Sequence, residues 1–264
     1  MRERQILFNT EMVRSILDGR KTCTRRVIKF PNGMTGHPIG KAGDSSNPLG
    51  VMYPGGIKRP PYQPGDILYV RETFAWCPCW DCGLDTTPDG CKNPVIYDFK
   101  KKEHGCYMYR ASCEDSKYSS ADTWHPSIHM PKEAARIFLK VTDVRVERLQ
   151  EIDIEGIRNE GLSSAAVHFG DMEIALKEWE ILWNSTIKKS GLDRYGWNAN
   201  PYVWVIEFER CEKPPECILK GYDKAPGDGL KCLGYMYDDN RDELLPMCEK
   251  CSYQESYEES EEEK

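Results

Sequence analysis

The sequence predicts an α+β domain, a small and mostly antiparallel β-barrel with flanking helices, which carries a Cys-rich insertion and a Cys-rich acidic tail. Three observations support this fold class. Apolar and polar residues alternate over several short runs, which is typical of half-buried strands. Helical periodicity is confined to a few segments between these runs. No connection shows the strand–helix–strand rhythm that is typical of a parallel sheet.

The first predicted elements are a strand, a helix and a second strand. The strand is the short apolar run at residues 6–8. Asn9 or Thr10 can cap the helix, whose apolar stripe is followed by Gly19 as the natural stop. Residues 22–28 are predicted to be extended and to return into the core.

Residues 30–64 are rich in Gly, Pro, Ser and Asn and have no period, so they are predicted to form a long surface loop. Residues 67–76 form the clearest strand in the chain, with Leu68, Val70, Glu72 and Phe74 on one face. Glu72 therefore interrupts an apolar row. It is either a carboxylate paired with an arginine at the strand's wet end or a buried carboxylate that faces a site.

Two helices are predicted in the second half of the chain: a short one at residues 153–160, which Gly161 ends, and a longer one capped by Asp171. Trp179 in the longer helix has the spacing of a core residue. Further strands are predicted at residues 107–110, 136–147 and 202–209. The alternation in the second of these changes parity near Asp143, which predicts a β-bulge.

The domain organisation follows from shifts in composition. Residues 1–210 are predicted to form the domain, with the loop 30–64 and the insertion 77–123 inside it. Residues 211–252 are a Cys-rich tail, and residues 253–264 are an acidic end that is expected to be disordered.

The composition is that of a folded chain without a membrane span. Hydrophobic residues make up 39% of the 264 residues and charged residues 30%, which allows a sizeable core. No run of about 18 apolar residues is present, which argues against a membrane-spanning helix. The start of the chain leads into only a short apolar run, unlike a signal peptide, so we expect a cytoplasmic location.

The charge is unevenly spread. The net charge is −7, but residues 249–264 hold seven glutamates and two lysines, a net of −5, which leaves −2 for the rest. Residues 9–29 hold six cations and two acids, a net of +4. A basic patch on a nearly neutral body favours a nucleotide or polyanion as the ligand.

The chain is organised around the stretch Gly19-Arg20-Lys21-Thr22-Cys23-Thr24-Arg25-Arg26. A lysine beside a hydroxyl is a candidate base–nucleophile pair, and the neighbouring arginines are candidate phosphate ligands. The alternative is a plain basic turn, because cations are favourable near the C-terminus of a helix. The residues alone leave both interpretations open.

Twelve cysteines are many for a cytoplasmic chain. In a reducing compartment, clustered cysteines with two-residue spacings favour metal over disulfides. In the insertion, Cys79 and Cys82 have the spacing of a zinc knuckle, and Cys91 is one of several residues that can complete the site. The other candidates there are Cys77, His104, Cys106 and Cys113. The alternative is reduced thiols without a ligand.

A second zinc site is predicted in the tail. Cys248 and Cys251 form a pair that Cys232, with Cys217 or Cys211, can complete as four thiolates. A closed set of four cysteine ligands is structural rather than catalytic, so we expect zinc as a structural cofactor and no other cofactor.

These residues in this order resemble the ASCH domain of the PUA-like superfamily, in the version carried by phages and prophages. The resemblance rests on the Gly-Arg-Lys-Thr element, on Pro64-Gly65-Asp66 before the strand that contains Arg71 and Glu72, on Val141-Thr142, on Glu160-Gly161 and on the last strand. It covers about residues 1–30, 64–76 and 124–209. The resemblance implies a β-barrel with a cleft for RNA or a modified nucleoside, in the host cytoplasm if a phage encodes the protein.

The resemblance also implies a candidate catalytic trio. One branch of these proteins removes the acetyl group from N4-acetylcytidine with a lysine, a threonine and a glutamate. Here these are Lys21, Thr24 and Glu160. A threonine needs a neighbour that takes its proton, and a carboxylic acid can protonate the leaving amine. In a regular strand, residues 21 and 24 point to opposite faces, so the trio requires a turn or bulge at Thr22-Cys23.

Three functions remain open, with binding ranked first because it requires only charge and stacking. The first is a module that binds RNA or a nucleoside through the basic stretch and neighbouring residues, namely Arg20, Arg25, Arg26, Arg71, Glu72 and Trp124. The second is an amidohydrolase that uses the trio. The third is a ribonuclease that uses Lys21 with His125 or His129.

Overall fold

The structure is a computed structural model that describes residues 2–31, 34–78, 96–98, 103–113, 123–214, 236–237 and 240–244. The chain divides into two units. One unit is Arg2–Cys211, and the other is Glu212–Lys264 together with Met1.

The described strands are numbered in chain order: β1 (Glu3–Leu7), β2 (Cys23–Val27), β3 (His37–Ile39), β4 (Gly50–Tyr53), β5 (Gly56–Lys58), β6 (Ile67–Arg71), β7 (Phe74–Pro78), β8 (Ile96–Asp98), β9 (Glu103–Tyr109), β10 (Phe138–Arg148), β11 (Tyr202–Cys211), β12 (Met236–Tyr237) and β13 (Asn240–Leu244). The α-helices are α1 (Thr10–Leu17), α2 (Ile154–Asn159), α3 (Ala165–Phe169), α4 (Met172–Thr186) and α5 (Leu192–Tyr195). Single 3₁₀ turns lie at Arg110–Ser112, Ser127–His129, Lys132–Ala134, Leu149–Glu151, Lys189–Gly191 and Trp197–Ala199.

A five-stranded sheet forms the frame of the larger unit, with the strand order β1-β6-β10-β11-β2. Three of its pairings are antiparallel, which confirms the mostly antiparallel α+β class. The pairing of β1 with β6 is parallel, which the sequence did not predict. Within the described residues no ladder joins β1 to β2, so the sheet is open rather than a closed barrel.

Several predicted ends and irregularities are confirmed. The Asn9 side chain accepts a hydrogen bond from the backbone of Met12 and caps α1. Gly19 and Gly161 follow α1 and α2 with positive φ angles of 73° and 97°, which favour glycine. The predicted bulge is present as a register shift against β11 between Val141 and Asp143.

Three predictions of local structure are wrong. Residues 30–64 are not an unstructured loop, because β3, β4 and β5 form an antiparallel sheet there. Residues 67–76 are not one strand: β6 ends at Arg71, and β7 begins a different sheet at Phe74. The insertion holds more than the single strand predicted at residues 107–110: that strand is present as part of β9, which pairs with β8 and with β7. Strands this short carry too few alternating positions to be recognised from sequence.

Two hydrophobic clusters cover the two faces of the central sheet. On one face, α1 packs on residues such as Phe8, Trp204 and Ile206. On the other face, α2, α3 and α4 pack on Val203 and Val205. Trp179 and Trp183 lie in this second cluster, which confirms Trp179 as a core residue. The two layers bring the C-terminal end of α2 next to the start of β2.

Within the described part of the second unit, β12 and β13 pair as a short antiparallel hairpin. Among the predicted ligands of the tail, Cys211 is described, whereas Cys217, Cys232, Cys248 and Cys251 lie outside the described residues, as do Cys79, Cys82 and Cys91 in the insertion. None of the described helices is long and apolar enough to cross a bilayer.

Candidate functional site

Lys21 is buried at the start of the basic stretch and bonded to Glu160. Its Nζ donates to Oε2 of Glu160 at 2.6 Å and to the carbonyl oxygen of the same residue at 3.0 Å. The exposed fraction is 0% for the Lys21 side chain and 4% for the Glu160 side chain. Burial and two charge-assisted hydrogen bonds therefore fix this ammonium on one carboxylate.

The end of α2 places Glu160 beside Lys21. Glu160 is the residue that terminates the helix, and it forms an antiparallel bridge with Lys21. A Cβ added to Gly161 would lie 2.9 Å from Cβ of Ser15 and 3.0 Å from Cβ of Lys21. Close packing and positive φ therefore both require glycine next to the carboxylate.

Arg25 is the second cation on Glu160. Its Nη1 lies 3.4 Å from Oε1 of Glu160, and its Nη2 lies 3.1 Å from Oε2 of Glu147. The exposed fraction of its side chain is 2%. Arg25 is therefore bonded inside the protein instead of being presented to a phosphate.

The position of Lys21 relative to β2 decides whether Lys21 and Thr24 can lie on the same face. β2 begins only at Cys23, and the backbone N–H of Thr22 is bonded to the carbonyl of Asn159, so Lys21 lies outside the regular strand. Thr24 and Arg26 share a face of β2. The Lys21 ammonium and the Arg26 guanidinium both lie over the ring of Phe8, at 5.7 and 5.3 Å from its centroid. Lys21 thus reaches the face of Thr24.

A cleft of about 670 Å³ lies along these residues. Its wall passes from the end of β1 to β2, the α2–α3 connection and the C-terminal half of α4. The lining includes Arg20, Thr24, Arg25, Arg26, Glu160 and Trp183. This volume is in the range of sites for small molecules. Lys21 does not belong to the described lining of the cleft, whereas its partner Glu160 does.

The remaining cations of the basic stretch are also bonded within the protein. Arg26 donates from Nη2 to the carbonyl of Leu7 at 2.9 Å, which links the two edge strands of the open sheet. Burial lowers the pKa of Arg26. Arg20 donates from Nη1 to the carbonyl of Gly161 at 2.7 Å and pairs with Asp18. Of these cations, Arg20 retains the largest contact with solvent.

The other predicted nucleic-acid ligands are not brought to the cleft. Arg71 donates to the side chain of Gln5 and to the carbonyl of Ile128. Arg110 lies over the Trp124 ring at 5.5 Å from its centroid. Neither Arg71 nor Trp124 belongs to the described lining of the cleft.

Glu72 is buried and forms a bidentate pair with Arg136, at 2.8 and 3.0 Å. Glu72 is therefore paired with an arginine, as the first interpretation predicted, and is also buried, as the second predicted. Neither Glu72 nor Arg136 belongs to the described lining of the cleft, although the adjacent Thr73 does.

The two histidines proposed for the ribonuclease lie in the segment that borders the cleft. His125 bonds through its backbone to Phe74, and both histidines are exposed. The cleft is lined at this point by Pro126 and Ser127 instead. Lys21, with its ammonium on Glu160, is therefore not paired with either histidine.

Cys23 is a thiol within the cluster but not a reactive one. Burial, followed by the nearby charge of Glu160, raises the pKa of Cys23 to about 12. The thiol therefore remains protonated at neutral pH, and a protonated thiol is a poor nucleophile. Thr24 is the hydroxyl that lines the cleft beside it.

Sequence reasoning missed Glu147 and Arg145. Both lie on the same face of β10, where Asp143, Arg145 and Glu147 alternate with valines. That charged row was visible in the sequence. Its contact with Arg25 was not, because it depends on β11 lying between β10 and β2.

The described residues contain no group of three or more His, Cys, Asp or Glu side chains placed to hold a metal. In the same part of the chain, Cys23, Cys113 and Cys211 form no disulfide. The central pairs of the two predicted zinc sites, Cys79 with Cys82 and Cys248 with Cys251, lie outside the described residues, so the zinc predictions stay predictions.

Comparison of the chain with protein-family models, curated proteins and solved structures finds no match.

Proposed function

We propose that the protein is an amidohydrolase that removes an acyl group from the amine of a modified nucleoside, such as an N4-acylated cytidine. The observation that carries this proposal is the buried contact of 2.6 Å between Lys21 and Glu160 at the wall of a cleft that Thr24 lines. A lysine–carboxylate pair at a cleft that a threonine lines supplies a candidate base, a candidate acid and a candidate nucleophile, which are the groups that acyl transfer requires.

The internal bonding of the basic side chains favours hydrolysis over the binding of a polyanion. Phosphate contacts of the kind that dominate nucleic-acid binding need exposed cations. Lys21 and Arg25 are instead buried against carboxylates, and Arg26 is bonded to a backbone carbonyl. This internal pairing reverses the order of the first two candidate functions.

The proposed reaction begins with proton transfer from Nζ of Lys21 to Oε2 of Glu160, which yields a neutral amine and a carboxylic acid. The amine then takes the proton of Thr24 as Oγ bonds to the acyl carbon. The carbon–nitrogen bond breaks, and the leaving nitrogen receives the proton of the Glu160 carboxylic acid.

Water completes the reaction. It adds to the acyl carbon of the Thr24 ester and loses a proton to the Glu160 carboxylate. The ester bond breaks, and the Thr24 oxygen regains a proton from the Lys21 ammonium. A proton then passes from the Glu160 carboxylic acid to the Lys21 amine, which restores the ion pair. An amide and water thus become a carboxylic acid and an amine.

The resemblance to ASCH proteins supports the same assignment, because it selects Lys21, Thr24 and Glu160 independently of their contacts. We extend the proposal to the fold: the five-stranded sheet corresponds to a PUA-like barrel. The Arg26–Leu7 hydrogen bond supports this correspondence, because it spans the gap between the strands that would close the barrel.

A module that binds RNA or a nucleoside without chemistry is the second candidate. The observation that favours it is Arg20, whose side chain is 37% exposed at the wall of a cleft of suitable size. If Arg20 contacts phosphate, Arg20→Ala should weaken RNA binding and flatten its salt dependence. Arg14→Ala, which removes a nearby cation on α1, serves as the control.

One experiment separates the candidates. The protein is incubated with N4-acetylcytidine and with a panel of RNAs, and acetate release and strand scission are both followed. Acetate release without scission supports the hydrolase. Binding without either product supports the binding module. Strand scission without acetate release would support the ribonuclease.

A further inference from the structure

A row of alternating charges connects the candidate site with solvent. Nη2 of Arg25 lies 3.1 Å from Oε2 of Glu147, and Oε1 of Glu147 lies 2.6 Å from Nε of Arg145. Arg145 also bonds to Glu207 and, at 3.3 Å, to Asp143. Side-chain exposure increases along the row, from 2% at Arg25 to 21% at Glu147 and 40% at Arg145.

The register of the sheet holds this row in place. Arg25 pairs with Val205 across β2 and β11, and Val205 pairs with Arg145 across β11 and β10. Side chains at paired positions of neighbouring strands lie on the same face. The row is therefore mounted on three adjacent strands rather than on loops.

Arg25 is shared between Glu147 and Glu160, which it contacts through different guanidinium nitrogens. Arg25 is 3.1 Å from Glu147 but 3.4 Å from Glu160. Without Glu147, the buried guanidinium would retain one carboxylate and would be drawn towards it. A tighter Arg25–Glu160 contact would compete with the Lys21 ammonium for the Glu160 carboxylate.

We propose that Glu147 and Arg145 are positioning residues that set the distance between Arg25 and Glu160 and thereby keep Glu160 able to accept and donate a proton. This proposal rests on the proposed function. Neither residue belongs to the described lining of the cleft, so both act through Arg25.

The test compares Glu147→Gln with Glu209→Gln in the full-length protein. Glu209 is a matched control, because it lies on the same sheet in an exposed pair with Lys140 at 3.9 Å. For Glu147→Gln with N4-acetylcytidine, we expect kcat to fall by about 10- to 100-fold with KM nearly unchanged. Glu147→Asp keeps the charge and should recover part of kcat. Arg145→Gln should have a smaller effect in the same direction.

A second measurement does not depend on activity. NMR signals of the Arg25 guanidinium and of the Glu160 carboxylate carbon are assigned by their loss in Arg25→Lys and Glu160→Gln. Glu147→Gln should speed rotation of the Arg25 guanidinium and displace the Glu160 signal, whereas Glu209→Gln should change neither.

The two measurements separate the failure of each proposal. If the parent releases no acetate but both signals respond to Glu147→Gln alone, the hydrolase is wrong and the positioning of Arg25 and Glu160 stands. If the parent is active and neither signal responds, the positioning role is wrong. Equal loss of kcat in Glu147→Gln and Glu209→Gln would also overturn it.

Discussion

Lys21 and Glu160 are 139 positions apart in the chain, and yet the Lys21 ammonium donates to both the side chain and the backbone carbonyl of Glu160. Each charge is buried and compensated chiefly by the other. A buried ion pair contributes little net stability, but the loss of one partner is costly because it leaves an uncompensated charge. Changing one partner alone should therefore destabilise the fold, and this is measurable.

Thr24 is the nucleophile in the proposed reaction. Thr24→Ala should abolish release of acetate from N4-acetylcytidine and leave nucleoside binding, measured by calorimetry, close to that of the parent. Thr22→Ala is the control, because Thr22 is a neighbouring but exposed threonine. Equal loss in the two variants would point to damaged structure instead of a lost nucleophile.

The effects of changing Lys21 and Glu160 on the free energy of unfolding should be strongly non-additive. Glu160→Gln leaves the buried Lys21 without its carboxylate, and Lys21→Met leaves Glu160 bonded only to Arg25. Each change should cost about 3–5 kcal/mol of unfolding free energy in urea melts. The double variant should cost clearly less than the sum of the two. Additive costs would show that the pair does not exist in solution.

Lys21→Arg separates a base from a structural cation. Arginine retains the charge but does not give up its proton. We expect Lys21→Arg to lose acetate release nearly as completely as Thr24→Ala while it remains folded by circular dichroism. A variant with most of the parent activity would assign Lys21 a purely structural role.

Cys23 should make stability depend on alkaline pH. Its pKa is raised to about 12 in the folded protein from an ordinary value of 9.0. Because the folded value is the higher one, the contribution is fully present below pH 9 and is lost as pH rises towards 12. As the pH rises between these two values, the Cys23 thiol should lower the free energy of unfolding by on the order of 1 kcal/mol per pH unit.

Urea melts between pH 8 and pH 11 should therefore show a shallower decline for Cys23→Ala than for the parent. Tyr109, whose pKa burial also raises to about 12, contributes equally to both proteins. Identical slopes would mean that Cys23 is accessible in solution.

The zinc prediction is tested by elemental analysis. Protein purified without chelator should contain bound zinc, and Cys248→Ser combined with Cys251→Ser should contain less than the parent. Retention of all zinc in that variant would place the metal elsewhere, and metal-free protein with unchanged melting would support reduced thiols.

Sequence patterns by themselves determined those structural features that depend on residues close together in the chain. Asn9, Gly19 and Gly161 mark helix ends, because capping bonds and positive φ angles are requirements of one turn of chain. The bulge near Asp143 was predicted for the same reason, since a change of parity is visible within one strand. Resemblance, rather than spacing, selected Glu160.

Only the tertiary structure decided which charges meet. The sequence presents Lys21, Arg25 and Arg26 as a basic patch, whereas the fold buries them against Glu160, Glu147 and the carbonyl of Leu7. Their partners lie at the end of α2, on β10 and on β1. The separations of these residues in the sequence do not predict the contacts. An exposed cation and a buried one have the same sequence signature, because burial is a property of what packs around a side chain.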